Sequence, residues 1–106
     1  MKTLTLTTSR MRATLTASQG LSIARETVTR SSHALRMNVD DADAWHALGT
    51  ALAALGDRVG ALTALRNAVL LDETRAHSQL ALGNLLFDTG RFDDALRCFE
   101  SAAAGL

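Results

Sequence analysis

The chain has no proline and a single cysteine, and no apolar run in it approaches the roughly 18 residues that a membrane-spanning helix requires. Each absence removes a class of protein. Without proline, nothing in 106 residues interrupts a helix interior by removing an N–H or clashing with the preceding turn. Cys98 alone can form neither an internal disulfide nor a cysteine-based metal site, so this is not a secreted disulfide scaffold. Aromatic residues are only 4% of the chain. No Gly-x-Ser-x-Gly turn and no phosphate-cradling Gly-Lys-Ser/Thr loop occurs. The opening MKTLTLTTSR carries a lysine but no continuous apolar stretch, which makes a poor signal peptide, so a cytoplasmic protein is expected.

What is present is alanine and leucine, both strong helix formers, in a chain that is 47% hydrophobic and 21% charged. The formal net charge is zero but unevenly spread. Residues 1–37 hold six basic side chains and one acid, a net of +5, and residues 38–106 hold five arginines and ten acids, a net of −5. A basic arm on an acidic body can meet a polyanion or an acidic face of its own kind. With no interleaved aromatics and no glycine-rich signature, it is a weak signal for nucleic acid.

The C-terminal two-thirds repeats itself after 34 residues. Leu48, Gly49, Leu52, Gly56, Ala61, Leu62 and Ala68 fall on Leu82, Gly83, Leu86, Gly90, Ala95, Leu96 and Ala102, and Leu65 falls on Phe99. Within each copy the apolar positions recur at helical spacing on both sides of a glycine. Ala44, Leu48, Ala51, Leu52 and Leu55 precede Gly56-Asp57, and Ala61, Leu62, Leu65, Ala68 and Val69 follow. Glycine suits the left-handed position that ends a helix, and Asp57 can cap the next one. Gly49 and Gly83 lie mid-helix, where glycine costs about 1 kcal/mol against alanine, so a close backbone approach must explain them.

Trp45-x-x-Leu48-Gly49-x-x-Leu52 followed by Ala61-x-x-x-Leu65 resembles the tetratricopeptide repeat, and so does Gln79-x-x-Leu82-Gly83-x-x-Leu86 with Ala95-x-x-x-Phe99. Leu52 and Leu86 stand where that family usually has tyrosine, Gln79 where it favours tryptophan, and Glu73 where proline usually closes the repeat. The resemblance implies an all-α fold, a short right-handed superhelical solenoid of antiparallel helix pairs. It divides the chain into a basic, Thr-rich arm (1–20) that is disordered or partly helical, and a helical domain (21–106). The domain comprises a degenerate half repeat (21–37) and two repeats (42–75 and 76–106).

In that family the first helices of successive repeats line a concave groove that holds peptides. By matching position the groove residues are Asp43, His46, Thr50 and Ala53 from the first copy, and His77, Leu80, Asn84, Phe87 and Asp88 from the second. They lie off the Leu/Gly/Ala face that must be buried, and they combine an aromatic ring with amide, carboxylate and imidazole groups. His46 and Thr50 replace the lysine and asparagine with which some members clamp a terminal carboxylate, so that mode is not expected. The expected function is therefore an adaptor or scaffold binding a protein or peptide partner. The alternative is a self-assembling module that uses its uncapped repeat end or N-terminal helix to form homo-oligomers, because stacked repeats bury their faces only against neighbours. No enzyme, cofactor, metal, nucleic acid or membrane partner is expected. His46, His77 and Asp43 are a conceivable zinc set by type, but no His-x-x-x-His or Glu-x-x-His pair supports it.

Overall fold

A computed structural model describes residues 2–72 and 75–104, with side chains from residue 19 on. Its described residues form five helices: α1 (Lys2–Met37), α2 (Ala42–Ala54), α3 (Arg58–Leu71), α4 (Ala76–Asp88) and α5 (Phe92–Ala104). They stack as a row in which each helix packs on the next, and α2 also touches α4. The chain is thus an all-α row of helix pairs, α2 with α3 and α4 with α5, preceded by one long helix.

The two hairpins turn the same way because the same residues sit 34 apart. Gly56 and Gly90 take φ of 87° and 83°, the left-handed region that a Cβ disfavours. Around each, the backbone closes in the same pattern. The Asp57 N–H donates to the Leu52 carbonyl and the Gly56 N–H to that of Ala53, while Arg91 donates to Leu86 and Gly90 to Phe87. The Asp57 carboxylate then accepts from the Gly60 N–H at 2.9 Å and starts α3, and Asp41 accepts from the Ala44 N–H at 3.1 Å and starts α2.

Helix α1 shows what happens without that turn. Residue 22, which lies 34 before Gly56, is serine, and residue 23, in the place of the capping Asp57, is isoleucine. A serine pays about 1–2 kcal/mol to enter the left-handed region. The chain continues as helix instead of turning back, and α1 crosses Gly20 without a break. The boundary expected at Gly20 therefore coincides with no change of secondary structure. The side chains of the arm expected at 1–20 lie largely outside the described residues. The half repeat expected at 21–37 lies in the C-terminal part of α1, which buries Ala24 and Ser31.

The core runs between the two hairpins. Ala61, Leu65, Leu82, Leu85, Leu86 and Ala95 form one buried cluster, with Leu52, Leu62, Val69, Ala81, Cys98 and Phe99 packed around it. Small residues at Ala61, Ala68, Ala95 and Ala102 let the helix backbones approach, as the repeat pattern requires. Trp45 secures the other junction: its indole N–H donates to the Val39 carbonyl at 2.7 Å and ties the α1–α2 connection to the first turn of α2. The large half-buried ring thus has a partner for its one donor.

Candidate functional site

Helices α2 and α4 lie side by side and present one face away from the core. Eight of the nine residues expected in the groove are exposed, and only His46 is half-buried. The structure does not gather all nine in one place. Thr50 and Ala53 of α2 meet Asn84 and Asp88 of α4 around a hollow of about 250 Å³, with Leu65, Ala81 and Leu85 at its floor. One end of this hollow offers a carboxylate, and its sides offer an amide and a hydroxyl. The amide can both donate and accept, which suits the backbone of an extended peptide. The Thr50 hydroxyl donates to the Ala47 carbonyl at 3.0 Å, leaving its oxygen able to accept.

His77 and Leu80 lie elsewhere, around a second, apolar hollow of about 260 Å³ completed by Phe99, Ala102 and Ala103 of α5. Phe87 sits at the α4–α5 turn, where its ring meets that of Phe92 edge-on with centroids 5.1 Å apart. Both phenylalanines remain more than half exposed.

The remaining two residues hold the repeats together. Asp43 forms an ion pair with Arg75, which enters α4 and also approaches Asp72 at 3.7 Å. The His46 Nδ1 lies 2.9 Å from the Ser78 hydroxyl. Neither Arg75 nor Ser78 was singled out by the groove pattern. One signal was available for Ser78: it lies 34 residues after Ala44, and both positions are small and buried. The serine–histidine pair is not a nucleophile with its base. Ser78 has no exposed surface, so no substrate carbonyl can reach its oxygen.

His46 does titrate in an informative place. Burial holds its imidazole below the ordinary value of 6.5, Arg75 and His77 push in the same direction, and Asp43 opposes them. The folded state therefore prefers the neutral ring, and the unfolded chain binds a proton more readily. The corresponding stability is fully present above pH 6.5 and is lost as pH falls through the lower folded value. His46→Asn keeps a side-chain acceptor for Ser78 but cannot titrate. Its thermal midpoint is expected to fall less steeply than the wild-type midpoint as pH drops below 6.5; identical slopes would exclude His46 as the source. Cys98 shows the opposite case of the same physics. Burial, reinforced by Asp94, raises its thiol above the ordinary range despite Arg66, so it is a poor nucleophile.

Among the described residues no group of three or more His, Cys, Asp or Glu side chains is placed to hold a metal ion. No described helix is long and apolar enough to cross a membrane.

Comparison with known proteins agrees with this geometry. The tetratricopeptide repeat family matches residues 42–67 and 76–101, the two hairpins apart from their last turns. Among solved structures, the crystal structure of MamA superimposes with a TM-score of 0.74 over 84% of this chain at 20% identity. The match takes in 53% of the MamA chain, so this chain corresponds to about half of that protein's length. No curated protein matches the sequence. Tetratricopeptide repeats generally mediate protein–protein interaction. With two matched repeats, the same fold and the 34-residue period in agreement, the chain belongs across residues 42–101 to the tetratricopeptide repeat family.

Proposed function

We propose that the chain is a non-enzymatic adaptor that holds an extended peptide segment of a partner protein between α2 and α4. The observation that carries this reading is the hollow shared by Thr50, Ala53, Asn84 and Asp88, where polar groups from two repeats converge over an apolar floor. Asn84 pairs with a peptide amide, and Asp88 favours a partner with a basic side chain or a free amine at that end. The His46–Ser78 bond and the Asp43–Arg75 pair fix the spacing of the two helices, so the hollow is formed before a ligand enters.

The test uses the full chain, immobilised, to select binders from a random peptide display library. Asn84→Ala with Asp88→Ala is then expected to weaken the selected peptides at least tenfold, about 1.4 kcal/mol, while the thermal midpoint stays unchanged. Equal affinity in the double variant would overturn the groove assignment.

A second reading is self-assembly. It is favoured by the exposed apolar side chains at the α4–α5 end, where Leu80 is 47% and Leu96 56% exposed. The two readings use different surfaces and are compatible.

A further inference from the structure

The α4–α5 end of the row is the repeat equivalent of a surface that is covered elsewhere in the same molecule. In the first repeat, Leu62, Leu65 and Val69 of α3 pack in or against the core cluster, and α4 lies against α3. Thirty-four residues later stand Leu96, Phe99 and Ala103, and His46 is answered by Leu80. Leu65 is 1% exposed, but Leu96 and Leu80 are about half exposed, and none of the described residues lies over them. Between them is the apolar hollow of about 260 Å³. The fold itself defines what fits there, because the equivalent surface one repeat earlier accepts an α-helix.

The chemistry of the covering helix follows from charge. The α4–α5 hairpin carries Asp88, Asp93, Asp94 and Glu100 against Arg91 and Arg97, a net of −2. Residues 2–20 carry Lys2, Arg10 and Arg12 with no acid, a net of +3. The segment belongs to the helix α1, and its sequence places Leu4, Met11 and Leu15 at i, i+7 and i+11, one side of a helix. It is joined to the wrong end of its own molecule. Helix α1 packs on α2, and among the described residues it touches neither α4 nor α5. Its degenerate repeat cannot fold back on itself in the way the others do, for want of the Gly56-type turn and because Leu15 occupies the place of Gly49.

We propose that the α4–α5 end of one copy receives the basic N-terminal helix, residues 2–20, of a second copy. Each molecule then offers one helix and one open end, a heterologous contact that propagates head to tail until it closes into a ring or continues as a filament. The inference rests on the self-assembly reading and not on the groove.

Light scattering on the full chain tests it with two variants. Leu80→Glu with Leu96→Glu spoils the open end, and Arg10→Glu with Arg12→Glu spoils the helix. Leu80 and Leu96 are exposed, so the first variant is expected to keep wild-type helicity by circular dichroism; Ala103→Arg, also exposed, replaces it otherwise. The wild type is expected to gain mass with concentration beyond a dimer, and each variant alone to stay monomeric. A one-to-one mixture of the two is expected to form a dimer, because one intact end then meets one intact helix. A wild type that is monomeric at every concentration would overturn self-assembly altogether. A wild type that assembles while the arginine variant assembles equally, or a mixture that stays monomeric, would overturn this contact and leave self-assembly standing.

Discussion

Leu65→Ala is expected to destabilise the fold by about 2–5 kcal/mol, a large share of the total for a domain of this size. Leu65 is the largest side chain in the molecule with almost no exposure. It projects from α3 into the cluster that joins the two repeats, with Leu82, Leu85 and Leu86 of α4 beside it. Its loss leaves a void that three helices must collapse to fill, and a solenoid this short has no other core to compensate. Leu65 also floors the groove hollow, so the same variant is expected to bind groove ligands more weakly even where it remains folded. Urea unfolding measures the first effect. A loss below about 1 kcal/mol would mean that the helices close over the gap and that the inter-repeat core is softer than argued.

Gly49→Val is expected to cost about 1–3 kcal/mol or more by the opposite mechanism, overpacking. A Cβ built on Gly49 would lie 2.6 Å from the Leu65 Cγ and 3.2 Å from the Leu65 backbone nitrogen. The first distance is too short for any carbon pair, and the second shows that α3 itself is close, so rotating one side chain does not relieve the clash. This is the close approach that a mid-helix glycine demanded. Gly83 repeats it, with its Cβ position 2.7 Å from the ring of Phe99. Because Gly49 and Leu65 share one contact, their substitutions should not add. Gly49→Ala in the Leu65→Ala background is expected to be at least 0.5 kcal/mol less harmful than in the wild type. Strict additivity in that cycle would contradict the packing.

The repeat architecture was legible because it depends on residue types that have few alternatives. A left-handed turn calls for glycine, and Gly56 and Gly90 sit 34 apart where the structure turns. The apolar positions that recur with them are those that the core buries. The behaviour of α1 was less legible. Gly20 suggested a boundary, yet a glycine within a helix does not end it unless the backbone is drawn into another conformation. The deciding feature was the lack of glycine at residue 22.

The candidate site was legible as a set of positions and not as a geometry. Matching helix positions identified residues on the outer face of α2 and α4, but it treated them as equivalent. In the structure Asp43 and His46 face partners in the next repeat, Arg75 and Ser78, while His77 and Leu80 have no next repeat among the described residues to face. A one-dimensional period cannot show which copy has a neighbour. That difference separates the peptide-sized hollow at Thr50 and Asn84 from the apolar end at Leu80.

The central claim is that ligands enter between α2 and α4. Amide chemical-shift mapping of the ¹⁵N-labelled full chain with a library-selected peptide tests it most directly. The account predicts shifts concentrated at Thr50, Ala53, Asn84 and Asp88, with α1 and the outer face of α3 unmoved. Shifts concentrated on α1 or α3, with those four amides unchanged, would contradict it.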